Sequence, residues 1–323
     1  MPKNLTGSAL PRARFCAWPY RSDVSYPERE SSRAADDGTE VHTMLECYLA
    51  GEQIPAMGPR AQMIFQQVLI GFGGPEGCIP EPAYAIDVDT GEARLLGNRL
   101  KREYPELKAS EIALTADWVR LSETAVDVGD LKTGFAGHVS HPRENLQLLA
   151  GCYAAAKVAK RDVAFARILI AREDEYVPLF ARLDGGWMNE VLTELREIHF
   201  RTRLPSPAVA GEHCQFCPAL GACPQTAQLA LLEPGDGVRW TTECLSAEND
   251  AKMVMHLPLV EKALEAVKDA LKQRAPIQLP NGKVWRETKQ KRTYPDRSKL
   301  ELLPGYTDTL RETEVSVYRQ VKS

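Results

Sequence analysis

The sequence lacks any apolar run that approaches the roughly 20 residues needed to span a bilayer. Its N-terminal segment, MPKNLTGSALPRARF, also lacks the apolar core of a signal peptide. It contains no internal repeat and no low-complexity tract, which excludes the repeat architectures. We therefore expect a cytoplasmic protein that makes no contact with a membrane.

An excess of basic charge is also absent. The 40 Lys and Arg residues are outnumbered by 44 Asp and Glu residues, which gives a formal net charge of −4. A polyanionic partner would therefore have to be bound by a local patch, a metal ion or shape, and not by overall charge. The length of 323 residues suffices for one large domain or a core with an appendage.

Cysteines are few, and only one group of them is clustered. Of the eight cysteines, three form the pattern Cys214-x2-Cys217-x5-Cys223. In a reducing compartment, clustered cysteines bind metal more often than they form disulfides. The triplet supplies three ligands, so that the fourth must be His213 or a distant residue. Taken alone, the triplet is typical of a zinc knuckle or of chance.

The most informative motif is Gly-Asp-Leu-Lys-Thr-Gly at residues 129–134, which ends an apolar segment of strand character. Because side chains alternate along a strand, Asp130 and Lys132 lie on the same side, and Asp127 lies on the opposite face. Asp117, on the preceding predicted strand, can reach the same point. Two carboxylates can hold a hard divalent cation while a lysine orients or helps to deprotonate a water. This set is typical of a metal-dependent phosphodiesterase.

His42 is a candidate third side chain at that point. A lone helical histidine is most often an ordinary half-buried residue, but this one precedes the strand pair that carries the two acids. An imidazole and two carboxylates, completed by water and a backbone carbonyl such as that of Leu131, make a reasonable Mg²⁺ or Mn²⁺ sphere.

Hydrophobic periodicity and turn residues predict the elements between these motifs. The predicted helices span 39–49, 60–70, 145–159, 187–200 and 247–274, the last kinked at Pro258. The predicted strands are a hairpin over 83–96, a strand pair at 112–120 and 125–131, a buried strand at 163–171 and a C-terminal hairpin over 277–288.

The order of these motifs resembles the RecB-type branch of the PD-(D/E)XK nucleases. The matching segments are Gly38-x-x-x-His42, Ala116-Asp117, residues 129–134 and Asn145-Leu146-Gln147-Leu148. The resemblance implies an α/β restriction-endonuclease-like core, in which a central mixed sheet is flanked by helices. It also implies a metal-dependent exonuclease that acts on DNA with a free or single-stranded end.

Carried over residue by residue, the resemblance assigns metal binding to His42, Asp117 and Asp130 and catalysis to Lys132. It assigns the positioning of water or substrate to Gln147. The chain departs from the family at Ala116, where a glycine is usual, and at Gly151, where an aromatic residue is usual four positions after the glutamine. The half-matched glutamine motif keeps open an alternative, a catalytically weak or inactive DNA-binding or assembly protein of the same fold.

The cysteines extend the resemblance to the iron–sulfur members of this branch, which include the CRISPR-associated exonucleases and the AddB-type helicase–nucleases. One cysteine, Cys16, precedes the nuclease motifs, and three follow them. The resemblance implies a 4Fe–4S cluster that staples the two ends of the nuclease domain, with Zn²⁺ as the alternative for four thiolates. Its four ligands would be Cys16, Cys214, Cys217 and Cys223. A zinc-stabilised structural module remains a third interpretation.

Residues 1–230 are predicted to form the nuclease domain, and residues 245–323 a C-terminal helix–hairpin extension. Segment 8–42 resembles phage and prophage members of the group, which implies a recombination or replication protein as partner. Within the extension, residues 283–299 combine seven basic residues with two aromatic ones, Trp285 and Tyr294. Such a stretch can grip phosphates and stack bases. A solvated hairpin face is the alternative interpretation.

Overall fold

The computed structural model describes residues 5–26, 33–72, 74–133, 139–209, 211, 213–214, 217–225, 261, 265–279, 283–295 and 310–322. The chain divides into two compact units, Met1–Pro218 and Ala219–Ser323. The whole of the predicted boundary region, 230–245, lies outside the described residues, so the predicted domains stay a prediction.

The first unit is a mixed α/β structure. Its helices are α1 (Leu10–Ala13), α2 (Arg33–Leu49), α3 (Pro59–Phe72), α4 (Leu146–Ala159) and α5 (Trp187–Arg203). Its strands are β1 (Cys78–Pro80), β2 (Pro82–Asp87), β3 (Ala93–Asn98), β4 (Glu111–Thr115), β5 (Trp118–Leu121), β6 (Ala125–Lys132), β7 (Val163–Ala171) and β8 (Tyr176–Leu183). The predicted helices of this unit are confirmed, and so are the hairpin over 83–96 and the strand at 163–171.

The central sheet has five strands in the order β1-β5-β6-β7-β8. Strands β6 and β7 are parallel and the other neighbours are antiparallel, so the sheet is mixed as predicted. The connection between the parallel strands is α4, whose apolar residues pack in one buried cluster with β6 and β7. A second buried cluster joins α2 and α3 to Trp118, Leu131 and Leu169 of the same sheet. Helices therefore flank the central sheet.

The predicted single strand over 112–120 is wrong. The chain instead forms β4, which pairs with β2 in a separate three-stranded sheet, and then β5, which pairs with β6 in the central sheet. The change of sheet falls between two neighbouring amides. The Ala116 N–H donates to the carbonyl of Pro82, whereas the Asp117 N–H donates to that of Gly129. Asp117 therefore stands at the junction of the two sheets.

The long helix α4 begins and ends with recognisable caps. The Asn145 side chain accepts a hydrogen bond from the Leu148 N–H at 3.2 Å, and Lys160 closes the helix in the left-handed conformation. At Gly151, an added Cβ would lie 3.4 Å from Val128. That spacing is ordinary van der Waals contact, so the position accepts a methyl group.

The second unit contains a three-stranded antiparallel sheet of β9 (Ile277–Gln278), β10 (Lys283–Pro295) and β11 (Leu310–Lys322). The two strands of the predicted C-terminal hairpin are confirmed, and β10 runs on beside β11 to Pro295. Residues 265–274 are helical, in agreement with the end of the predicted helix, while residues 247–260 lie outside the described part of the chain. Across both units, no described helix is long and apolar enough to cross a bilayer.

Candidate active site

Four elements of the first unit meet at a cleft of about 940 Å³. They are α2, the junction before β5, the end of β6 and the first turn of α4. All six residues predicted for metal binding or catalysis line this cleft: His42, Asp117, Asp130, Leu131, Lys132 and Gln147. Segments that are far apart in the sequence thus contribute to one site.

Asp117 forms hydrogen bonds to strand β6 on both sides of Asp130, one through its backbone and one through its side chain. Its N–H donates to the carbonyl of Gly129 at 3.2 Å, and its carboxylate Oδ2 accepts the N–H of Leu131 at 2.6 Å. These bonds hold the two aspartates beside each other. Leu131 itself is fully buried in the apolar cluster beneath α2 and α3. The predicted role of its carbonyl as a metal ligand stays a prediction.

Gly38 explains how His42 reaches the cleft. A Cβ at position 38 would lie 2.8 Å from Oγ1 of Thr133, so the glycine lets α2 approach the end of β6 closely. His42 follows four residues later and therefore lies on the same face of the helix. Its Nδ1 is 3.2 Å from Oδ1 of Asp117.

The second aspartate is paired with the lysine of the motif. Lys132 Nζ donates to Oδ1 of Asp130 at 2.9 Å and lies 2.8 Å from Oδ2. The side-chain amide of Gln147 donates to the same Oδ1 at 3.4 Å. Asp130 is 6% exposed, and its buried Oδ2 accepts no hydrogen bond. The partner of this oxygen is therefore ionic, the Lys132 ammonium at 2.8 Å.

The charges of the cleft shift one another in a consistent way. Burial acts to raise the pKa of Asp117, but His42 and the Leu131 N–H outweigh it and the pKa is lowered. Burial raises the pKa of Asp130, and the negative charge of Asp117 adds to that rise. Burial acts to lower the pKa of Lys132, but the Asp130 carboxylate outweighs it and the pKa is raised. The site therefore holds two neighbouring carboxylates that repel each other, a condition that a bound cation relieves.

The residues present suit a hard divalent cation by type. Asp117 and Asp130 offer carboxylate oxygens, and His42 offers an imidazole nitrogen. Within the described residues, no three His, Cys, Asp or Glu side chains stand in a geometry ready to hold a metal ion. His42 instead pairs with Asp117, and Lys132 pairs with Asp130.

The cleft also contains residues that the sequence analysis missed. Glu81 lies between β1 and β2 with a left-handed backbone (φ +42°), and its N–H donates to the carbonyl of Asp117 at 3.0 Å. Arg99, Lys101 and Arg102, which follow β3, form another part of the lining. The only available signal was the cluster of cations in Asn98-Arg-Leu-Lys-Arg102, which carries no recognised motif.

The predicted cysteine ligands of the first unit lie around Val209. The Val209 N–H donates to Sγ of Cys16 at 3.4 Å, and its carbonyl is 3.8 Å from Sγ of Cys214. Cys16 and Cys217 are both buried. Burial raises the pKa of Tyr20, and the thiol groups of Cys217 and Cys16 add to that rise, so both are near the same phenol.

The fourth predicted ligand, Cys223, belongs to the second unit and follows the short 3₁₀ helix Leu220–Ala222. The four-cysteine set spans both units and stays a prediction. No disulfide joins any of the seven cysteines in the described part of the chain. Cys244 lies outside it.

Comparison with known proteins adds little to this geometry. No family model matches the chain, and no curated protein sequence matches it. The crystal structure of SSO0001 is similar at 14% identity and a TM-score of 0.33, covering 69% of this chain and 87% of that chain. An alkaline exonuclease (LHK-Exo) from Laribacter hongkongensis is similar at 12% identity and a TM-score of 0.26, covering 62% of this chain and 88% of that chain. Overlaps this loose carry no argument about function, which must rest on the cleft.

Proposed function

We propose that this protein is a metal-dependent nuclease of the restriction-endonuclease-like class that hydrolyses phosphodiester bonds in DNA. One observation carries the proposal. A buried and a half-buried carboxylate, a lysine ammonium and an imidazole, brought from separate elements, line a single cleft. Hydrolysis of a phosphodiester needs oxygen ligands for a hard cation and a fixed positive charge beside the phosphate. The cleft offers both.

The cation would be Mg²⁺ or Mn²⁺, held by Asp117, Asp130, His42 and the carbonyl of Leu131. When bound, such an ion polarises a phosphoryl oxygen and lowers the pKa of a water. The repulsion between the neighbouring carboxylates of Asp117 and Asp130 is the observation that supports this assignment.

Lys132 and Gln147 both contact the carboxylate of Asp130, and both act on the substrate. Both donate to Oδ1 of Asp130, which fixes the direction of the ammonium and of the amide. The ammonium stabilises the negative charge that develops on the scissile phosphate. The amide, held at the start of α4, orients the attacking water or the phosphate.

Exonucleolytic action on free or single-stranded ends rests on the family resemblance alone. So does a role in phage recombination, replication or repair with a protein partner of that machinery. The proposed 4Fe–4S cluster on Cys16, Cys214, Cys217 and Cys223 also rests on it, with zinc as the alternative metal. The proximity of Cys16 and Cys214 to Val209 supports a metal between the first and last segments of the first unit.

The second candidate is a DNA-binding or assembly protein of this fold that turns over weakly or not at all. The ion pairs inside the cleft favour it, because each carboxylate is already paired with His42 or Lys132. Gly151, which replaces the aromatic residue of the family pattern, favours it as well.

The deciding experiment is digestion of end-labelled single-stranded and double-stranded DNA by anaerobically purified protein, with Mg²⁺, Mn²⁺ or EDTA. We expect cleavage with either metal, none with EDTA and none by Lys132→Ala. The matched control is Asp127→Asn, an acid on the same strand whose side chain pairs with Arg167 outside the cleft. If wild-type protein binds DNA but cleaves neither form, the second candidate replaces the first.

A further inference from the structure

The segment after β3 lines one part of the cleft with cationic side chains. Arg99, Lys101 and Arg102 all line the cleft, and all three have left-handed backbones, with φ values of +57°, +49° and +63°. Such a conformation costs a residue other than glycine about 1–3 kcal/mol. Asparagine or glycine would adopt it more cheaply, and yet long cationic side chains occupy all three positions. Strain of this kind persists where the surroundings fix the backbone, and it is concentrated at ligand sites.

Both ends of the segment are fixed. The Arg99 N–H donates to the carbonyl of Glu81 at 2.9 Å, and its guanidinium donates to both carboxylate oxygens of Glu52 and to Glu46. Two glutamates therefore neutralise the charge of Arg99. At the other end, the Tyr104 hydroxyl lies 3.0 Å from Oγ1 of Thr115 on β4.

Lys101 and Arg102, which lie between these anchors, differ from Arg99 in exposure and in pairing. Both are exposed, and neither forms an ion pair within the described residues. Burial raises the pKa of Glu81, and the Arg102 guanidinium offsets part of that rise. Arg102 also opposes the charged form of Lys132. Its charge therefore reaches the catalytic end of the cleft.

A DNA strand needs such cations to enter this cleft. The protein is acidic overall, and the cleft holds Glu46, Glu81, Asp117 and Asp130, all of which repel phosphate. Lys132 and Arg99 are already paired with carboxylates. The two exposed cations of the strained segment are thus left to attract a second phosphate.

We infer that Lys101 and Arg102 bind the backbone phosphate next to the scissile one and so place the DNA strand across the carboxylate pair. This assignment rests on the proposed nuclease function for the position of the scissile phosphate. The ligand is the phosphodiester backbone of a single DNA strand, recognised by charge and not by base sequence. The anchored backbone fixes the points from which the two side chains extend before the strand arrives, which lowers the entropic cost of binding.

The test uses Lys101→Asn, Arg102→Asn and the double variant, because asparagine removes the charge and tolerates the left-handed backbone. The matched control is Lys160→Asn, another exposed cation at a left-handed position (φ +56°), at the far end of α4 from Gln147. Thermal unfolding followed by circular dichroism should give the same Tm, to within a few degrees, for all variants. Binding of a fluorescein-labelled single-stranded oligonucleotide is measured by anisotropy in EDTA over a salt series.

We expect each cleft variant to weaken binding and to reduce the slope of log K against log salt by about 0.7 for each phosphate charge that it no longer neutralises. Lys160→Asn should match the wild type. An oligonucleotide in which every phosphate is replaced by an uncharged methylphosphonate should bind the wild type more weakly, and this loss of affinity should be smaller for the double variant. Wild-type affinity and slope in the double variant would overturn the inference.

The same measurements separate the inference from the nuclease proposal. Cleavage by the wild type, together with unchanged binding by the double variant, removes the phosphate site and leaves the nuclease. Absence of cleavage, together with charge-dependent binding through Lys101 and Arg102, keeps the phosphate site as part of a DNA-binding protein. Absence of any DNA binding by the wild type overturns both.

Discussion

The indole ring of Trp118 lies directly against the backbone of Gly129 on the neighbouring strand. The two residues are register partners between β5 and β6, and a Cβ on Gly129 would come within 1.8 Å of the ring. Trp118 is buried and also packs edge-on against Phe72 at 4.9 Å. The glycine that opens the motif is therefore required by its packing against Trp118.

We expect Gly129→Ala to destabilise the fold by about 1–3 kcal/mol, because the indole must leave its position. The change should also reduce cleavage, since the Asp117 hydrogen bonds to β6 flank this pair. Gly151→Ala is the control of opposite sign, because its methyl group meets only ordinary contacts and alanine favours a helix. Urea unfolding measures both. Equal stability of Gly129→Ala and the wild type would contradict the packing argument.

How far the sequence predicts the site depends on the range of each interaction. Asp130 and Lys132 belong to one strand, so their period-two spacing alone predicts that they lie side by side. The change of sheet at Ala116 and Asp117 is not predictable in this way. It is decided by which distant carbonyls accept two consecutive N–H groups, those of Pro82 and Gly129. An apolar run over 112–120 looks the same whether it serves one sheet or two.

The left-handed backbones of Arg99, Lys101 and Arg102 were also not predictable, but for a different reason. Left-handed backbones are anticipated from glycine or asparagine, and neither stands at positions 99, 101 or 102. The conformation there depends on the anchoring of Arg99 by Glu46 and Glu52, which come from α2 and the segment after it. Only the tertiary structure joins these residues.

Measurement of Mn²⁺ affinity should distinguish the role of Asp130 from that of Lys132. Asp130→Asn removes a charged oxygen ligand and should weaken Mn²⁺ binding at least about tenfold. Lys132→Ala should bind Mn²⁺ as tightly as the wild type or more tightly, because the ammonium competes with the cation for Asp130. Isothermal titration calorimetry with Mn²⁺ in the absence of DNA measures both. Loss of Mn²⁺ binding in Lys132→Ala would show that the lysine holds the site together and does not compete for it.

The ion pair between the buried Glu111 and the exposed Arg94 predicts a pH dependence of stability. Glu111 is 2% exposed and accepts two hydrogen bonds from the Arg94 guanidinium, at 2.8 and 2.9 Å. The hydrogen bonds from Arg94 hold the pKa of Glu111 below the usual 4.5, against the effect of burial. A carboxyl with a lower pKa in the folded state adds stability above its unfolded pKa and loses it as the pH falls through the folded pKa.

We therefore expect Glu111→Gln to be less stable than the wild type at pH 7, by about 1–2 kcal/mol. The difference should shrink as the pH falls below about 4.5, where the carboxyl of the unfolded chain becomes protonated, and should be lost once the pH passes below the pKa of the folded state. Glu92→Gln, an exposed acid beside Lys157, is the control and should change stability little at any pH. Urea titrations at a series of pH values give the free energies. A difference that stays constant down to about pH 3 would contradict the assignment.

The cysteine cluster predicts colour and metal content. Anaerobic protein should be brown and contain about four irons per chain, and Cys16→Ala should lose the colour and unfold at lower temperature. Cys152→Ala, a buried thiol on α4, should keep the iron. Visible absorbance and metal analysis measure the outcome. Stoichiometric zinc without iron would replace the iron–sulfur cluster by the structural zinc site.

The basic strand β10 is predicted to contact nucleic acid outside the cleft. It carries Arg286, Lys289, Lys291 and Arg292 and pairs along its length with β11, where Glu314 stands opposite Lys291. Phosphate contacts determine affinity and salt sensitivity, whereas the cleft determines turnover. Replacing the four residues by alanine should weaken DNA binding and flatten its salt dependence, and activity at saturating DNA should survive. Unchanged affinity over the whole salt series would identify the strand as a solvated face, because a cation that contacts no phosphate releases no counterion on binding.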